Sequence, residues 1–157
     1  MSMSTDNAAL RQLADLGVPH EVRRHGRVGS LVEAAAARGV DPADLIKTMV
    51  VRRGEDDYVL VLVPGDRTIA WPRLRQLLGV NRLSMPDADE AKAATGYERG
   101  TITPFGTIRP LPAVADERIA GHMVSIGGGD HGVGVLIDGD VLLAVTEATV
   151  ADVTDVQ

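Results

Sequence analysis

Two β-rich runs, Ile46 to Arg53 and Tyr58 to Val63, flank the polar stretch Gly54-Glu55-Asp56-Asp57. Apolar runs of this length joined by a short turn-forming segment spell a β-hairpin. Any fold for the chain has to be built around it. Helix signals lie on both sides. Thr5 or Asp6 can cap a helix carrying Leu10, Leu13, Ala14 and Leu16, closed by Gly17. Ser30 and Glu33 form a capping box ahead of Ala34 to Ala37, with Gly39 as the stop, and Asp41-Pro42 begins another short helix. Pro72 opens a helix with Leu74, Leu77 and Leu78 on its apolar side, and Pro86 to Thr95 reads as one more. Short strands are expected at Val18 to Arg24, Thr68 to Ala70, His122 to Ile126, Val133 to Ile137 and Val141 to Val145. Residues 97–112 should be an ordered loop, and the acidic tail should be loose.

Strands and helices are interspersed without regular β-α-β alternation. The expected class is therefore α+β, a mixed, partly barrel-like sheet flanked by helices, formed as a single domain over residues 1–157. A chain of 157 residues buries about 70% of its unfolded surface, enough for a core without covalent staples. It holds no cysteine, which excludes disulfides, a thiol nucleophile and cysteine-ligated zinc, and fits a reducing compartment such as the cytoplasm. Met1 to Leu10 lacks a basic stretch followed by an apolar run, so no secretory leader is expected. No apolar run approaches the roughly 18 residues of a membrane span.

The net charge is −6, but its distribution is uneven. Residues 1–53 carry eight basic and six acidic groups, and residues 115–157 carry one and eight. A polyanion would have to approach the N-terminal half, because phosphate contacts need Lys and Arg.

Three segments are candidates for chemistry. Lys47 sits in Leu45-Ile46-Lys47-Thr48-Met49-Val50-Val51 and is the sole lysine of the first 91 residues. A lysine entering a core costs several kcal/mol unless it faces a cleft or an anion, or snorkels to the surface. The second segment runs from Gly96 to Gly106, where Gly100 and Pro104 bracket a tight loop and Tyr97 and Phe105 supply two of the chain's four aromatics. The third is Gly127-Gly128-Gly129-Asp130-His131-Gly132. It matches G-x-G-x-x-G, but a strand follows it rather than a helix, which rejects dinucleotide binding. A glycine turn between strands can still offer backbone amides to a ligand. The four histidines have no metal-ligand spacing, so no metal site is expected, and only His131 reads as functional. Neither Ser30 nor Ser125 has the context of a nucleophile elbow.

Taken in order, these pieces resemble the YbaK/ProX family of aminoacyl-tRNA deacylases and the related editing domain of bacterial prolyl-tRNA synthetases. The resemblance runs from about Val18 to Val153. It is carried by Lys47-Thr48 with the apolar residues after it, Leu78-Gly79 ahead of an acidic helix, and Thr95-Gly96-Tyr97. Gly100-x-x-x-Pro104-Phe105-Gly106, Leu111-Pro112 and the Ser125 to Gly132 turn complete it. It implies hydrolysis of the ester that joins a wrong amino acid to tRNA, with no cofactor. The implied catalytic residue is Lys47. The implied substrate contacts are Thr48, Gly100, Thr101, Ile102, Thr103, Pro104, Phe105, Gly128, Gly129 and His131. The implied partners are the acceptor end of mischarged tRNA and an aminoacyl-tRNA synthetase.

The chain departs from the family pattern near its start, with His20, His25 and Ser30 where aromatics are frequent, and in a glycine turn two residues longer. Both touch the amino-acid preference. Two other readings remain: a module that binds aminoacyl-tRNA without cleaving it, and a hydrolase of another small activated ester or amide. The deacylase reading requires the Lys47 ammonium to open into a cleft walled by both glycine-bearing turns.

Overall fold

The hairpin forms where the sequence places it. In the computed structural model, which describes residues 7–157, β2 (Ile46–Gly54) and β3 (Asp57–Pro64) pair antiparallel from Ile46↔Pro64 to Gly54↔Asp57. The loop is tighter than expected. Gly54 and Asp57 are already paired, so Glu55 and Asp56 alone make the turn, with Asp56 at φ 52°. β3 then pairs in parallel with β5 (Ala113–Asp116), and β5 with β8 (Thr149–Ala151), giving a four-stranded mixed sheet in the order β2-β3-β5-β8. Val59, Val61 and Val63 of β3 pack on one face of it with Leu74 and Val153. Leu62 faces the other way, into a core with Leu13, Phe105, Ile126 and Ile137. A strand covered on both faces has to read as a continuous apolar run, and Tyr58 to Val63 does.

A second, antiparallel sheet has the order β1-β7-β6, from β1 (Glu21–Arg24), β6 (Met123–Gly127) and β7 (Val133–Asp138). A single parallel bridge, Leu45 to Ser125, joins it to the edge of the first sheet. β4 (Arg67–Ile69) and β9 (Thr154–Val156) make a two-stranded ribbon. The architecture is mixed α+β with several sheets, and no barrel closes among the described residues.

Four helices stand where caps and stops predict them: α1 (Ala8–Leu16), α2 (Leu31–Arg38), α3 (Trp71–Leu78) and α4 (Ala88–Thr95). Each ends at a glycine in the left-handed region. The cap of α1 is Asn7, whose side chain accepts from the Leu10 amide, while Thr5 and Asp6 lie outside the described residues. Leu77 of α3 is exposed rather than on the buried side.

Two expectations fail at the C-terminal end. Val141 to Val145 is not a strand but part of α5 (Gly139–Val145). Asp138 caps it by accepting from the Asp140 and Val141 amides, and Leu142 is buried in the core. The acidic tail is not loose. β8 and β9 pair with β5 and β4, and Thr154 is fully buried. Among the described residues, no helix is long and apolar enough to cross a membrane, and no three carboxylates or histidines cluster as a metal site.

Candidate functional site

Side chains along β2 alternate between the two faces of its sheet. Ile46 and Val50 join the clusters on one face, and Met49 and Val51 pack on the other. Lys47 follows Met49 and Val51. It enters a cleft of about 180 Å³ lined by Met49, Val63, Thr68, Ile69, Trp71 and Met85. Its Nζ donates to the Arg67 carbonyl at 2.8 Å, and no carboxylate pairs with it among the described residues. Burial pulls its pKa below the usual lysine range, with the field of Asp66 opposing. An ammonium has three N–H groups. One is used, and two remain for a ligand at the cleft.

The acceptor carbonyl is itself held from the C-terminal tail. Arg67 donates from Nε to Thr154 Oγ1 at 2.7 Å and from Nη2 to the Thr154 carbonyl at 3.1 Å. Thr154 Oγ1 in turn donates to Asp116 Oδ2 at 2.7 Å. Asp116, 0% exposed, also accepts from the amides of Arg118 and Val153 and from Arg118 Nη1.

The two glycine-bearing turns meet each other. A Cβ on Gly127 would lie 2.8 Å from the Ile102 carbonyl, and one on Gly100, at φ 88°, would lie 3.9 Å from His131 Cε1. His131 Nε2 is 3.3 Å from Glu98 Oε2. The pairing with His131, with Lys92 adding to it, holds the Glu98 carboxyl below its usual range. Gly128 closes its turn by donating to Val133, and its carbonyl accepts from Asn7 Nδ2 at 3.0 Å. Gly129, at φ 90°, lies against Asn7 and Ala9. Between the turns, Thr101 and Thr103 are buried, Ile102 and Pro104 half-buried, and Phe105 is anchored in the core beside Tyr97. Thr103 Oγ1 is buried without a hydrogen-bond partner among the described residues, and so is Thr48 Oγ1. Ile102 packs against the clusters that hold Ile46 and Val50, the face of β2 that Thr48 shares.

The structure thus brings Gly100, Ile102, the Gly127–Gly129 turn and His131 together, with Thr48 on their side. It does not bring Lys47 to them. The cleft at Lys47 contains no residue of either turn. Adjacent residues of a strand point to opposite faces, so the lysine and its threonine neighbour cannot line one surface of the sheet.

The family model of the aminoacyl-tRNA editing domain matches residues 25–145. The chain belongs to this family. It is 29% identical over 111 residues to the proline--tRNA ligase of Bacillus licheniformis, covering 71% of this chain and 18% of the ligase. To the proline--tRNA ligase of Heliobacterium modesticaldum it is 37% identical over 89 residues, 57% of this chain and 15% of that enzyme. The chain therefore spans less than a fifth of either ligase. It also superposes on the solved structure of a candidate trans-editing enzyme for prolyl tRNA synthetase. That match has a TM-score of 0.80 at 30% identity and covers 87% of each chain.

In this editing domain, three parts of the Lys47 cleft escaped the sequence reading. Trp71 forms a wall, although the only tryptophan of the chain is a visible signal. The Arg67 carbonyl that holds the ammonium is a backbone group, and nothing in the sequence marks it. Thr154 fixes Arg67 across 87 residues of separation and is itself held by Asp116 across 38, pairings that no local pattern reports.

Proposed function

We propose that this editing domain is an aminoacyl-tRNA deacylase acting in trans on mischarged tRNA, with Lys47 positioning the acceptor end of the substrate. The expected walls of this cleft, the two glycine turns, are absent from its lining, so the reading rests on the family and on one observation: a half-buried ammonium, held by a single carbonyl, stands at the wall of a small apolar cleft. A space of about 180 Å³ suits an aminoacyl group rather than the nucleotide bearing it. The aminoacyl side chain would enter among Met49, Val63, Ile69 and Trp71. The ester carbonyl or the terminal phosphate would take the free N–H groups of Lys47. At about 4 Å and an effective dielectric near 20, an opposite charge gains roughly 4 kcal/mol before desolvation.

The lining of the cleft includes no histidine, aspartate or glutamate to act as a base. Water would add to the ester carbon with help from the free hydroxyl of the substrate's own ribose. The carbon–oxygen bond to the ribose then breaks, and the proton passes to the departing ribose oxygen. Because the substrate is already an activated ester, positioning and electrostatics suffice. Editing answers the limit that a synthetase distinguishes amino acids one methylene apart by only about 1–3 kcal/mol. The likeness to prolyl-tRNA synthetases supports such an enzyme as the partner that delivers substrate, and the cytoplasm as the place of action.

A second reading has its own observation. Among the described residues, Thr48 Oγ1 and Thr103 Oγ1 are buried without partners on the side of the glycine turns. Here the ester lies between the turns. Thr48 and Thr103 take its oxygens, and Gly100, Thr101, Ile102, Pro104, Phe105, Gly128, Gly129 and His131 shape the walls. A panel of mischarged tRNAs decides between the two. Turnover lost in Lys47→Ala and kept in Thr48→Val supports the first reading. The reverse supports the second. Binding without turnover by the unaltered protein leaves a non-catalytic module, and equal turnover of free aminoacyl esters leaves a general esterase.

A further inference from the structure

Behind the glycine turn, where the His25 amide donates to the Gly132 carbonyl at 2.9 Å, one region carries positive charge that no carboxylate among the described residues neutralises except at Arg23. β1, α2 and the loop between them hold Arg23, Arg24, Arg27 and Arg38. Arg23 pairs with Glu21 at 3.2 Å. The other three have no carboxylate within ion-pair distance among the described residues. Arg24 and Arg27 are exposed.

Arg38 is half-buried at the C-terminal end of α2, and all its partners are neutral. Nε donates to His25 Nε2 at 3.3 Å, and Nη1 donates to the Ile126 carbonyl at 3.3 Å and reaches Ser125 Oγ at 3.5 Å. His25 Nδ1 is 2.8 Å from the Gly26 carbonyl, which fixes its proton there and leaves Nε2 as an acceptor. Nη2 takes no partner among the described residues and is not sealed from solvent. The position is built for a guanidinium. A Cβ on Gly134 would sit 2.6 Å from Arg38 Cδ, so β7 carries glycine where the side chain crosses it. Arg23 Nη1 donates to the Arg38 carbonyl at 2.9 Å and ties β1 to the end of α2. A half-buried cation without a counter-ion is costly, and an arriving anion removes the cost. Guanidinium forks suit phosphate oxygens.

We propose that Arg38, Arg24 and Arg27 form a contact surface for the phosphate backbone of the RNA whose acceptor end enters the editing site. The proposal rests on the RNA substrate of the reading above. Residues 1–53 carry net +2 (eight basic, six acidic), against −6 for the whole chain, so the basic groups a polyanion needs are concentrated in the segment that holds these three arginines.

The test is binding of a prolyl tRNA transcript by fluorescence anisotropy across a salt series. Each phosphate contact contributes about 0.7–0.9 to the slope of log affinity against log salt. Arg38→Gln should lower the slope by about one contact and the Arg24→Gln/Arg27→Gln double variant by about two. Arg82→Gln, an exposed arginine elsewhere, should leave it unchanged. The double variant alters only exposed side chains, so it keeps the test valid if Arg38→Gln unfolds. Unchanged slopes in the arginine variants, an equal fall in Arg82→Gln, or no RNA binding by the unaltered protein would each overturn the surface. Deacylation is measured on the same proteins. A raised KM with unchanged kcat supports the proposal. Absent turnover by the unaltered protein, with the slopes of the arginine variants lowered as expected, sinks the deacylase reading and leaves the surface standing.

Discussion

Asp116→Ala should loosen the C-terminal strands more than any other single carboxylate change. The side chain is 0% exposed and accepts from four donor groups, the Arg118 amide (3.0 Å), Arg118 Nη1 (3.1 and 3.2 Å to its two oxygens), the Val153 amide (3.3 Å) and Thr154 Oγ1 (2.7 Å). Arg118 keeps Asp152 at 2.9 Å, so its own loss is partial. The buried Val153 amide and Thr154 hydroxyl lose their acceptor. Orphaning a buried polar group costs about 1–3 kcal/mol, and breaking a buried charged network by removing one member about 3–5 kcal/mol. The expected destabilisation is therefore about 3–5 kcal/mol. At about 2–4 °C per kcal/mol for a chain of this size, Tm falls by roughly 6–20 °C. Urea titration and thermal melting followed by circular dichroism measure both quantities. Asp152→Ala, which removes the exposed arm of the same network, should leave the midpoint near that of the unaltered protein. A loss below about 1 kcal/mol in Asp116→Ala, or an equal loss in Asp152→Ala, refutes the claim that the buried carboxylate holds the tail.

Two further outcomes follow from the Lys47 side. Burial lowers the pKa of Lys47, so catalysis that needs its charge should fall on the alkaline side before an ordinary lysine titrates. Initial deacylation rates against pH, with spontaneous ester hydrolysis subtracted, check this. The linkage has the matching sign: between the folded and unfolded pKa the unfolded chain binds more protons, so this group's contribution to stability rises with pH there. Gly65→Ala places a Cβ 2.8 Å from the Leu45 carbonyl and closer still to that of Pro42, both backbone atoms. Overpacking of this kind costs about 1–3 kcal/mol. Because the turn leads directly into Arg67, the variant should also lose turnover, measured beside its melting curve.

The hairpin and four of the five helices were legible because their signals are local. Ser30 and the glycines at 17, 39, 79 and 96 act within one turn of the element they begin or end. α5 was misread because Val141-Leu142-Leu143-Ala144-Val145 is apolar throughout, and such a run has no period to separate strand from helix. The deciding residue was Asp138, a cap just ahead of the apolar run. The tail was misread because acidic composition suggests solvation, whereas its order comes from Asp116, Arg67 and Arg73. Those contacts exist only once the sheet has formed.

The candidate site failed to converge for a reason the sequence did contain. The family resemblance implies Lys47 and Thr48 together, yet they are neighbours in a strand of period two. Met49 and Val51 pair with the lysine's face, and Ile46 and Val50 with the threonine's. In a paired strand the two candidate groups have to part. The lysine then goes to whatever covers the Val63 face of the sheet, which is Trp71 and the β4–β9 ribbon. The glycine turns go to the opposite face, with Ile102 and Phe105. Catalysis that used both would need the substrate to wrap the edge of β2, where one bridge, Leu45 to Ser125, joins the two sheets. The mischarged-tRNA panel on Lys47→Ala and Thr48→Val is therefore also a test of geometry. If each variant alone abolishes turnover while folding normally, the substrate crosses that edge. If only one does, the reaction is confined to one face.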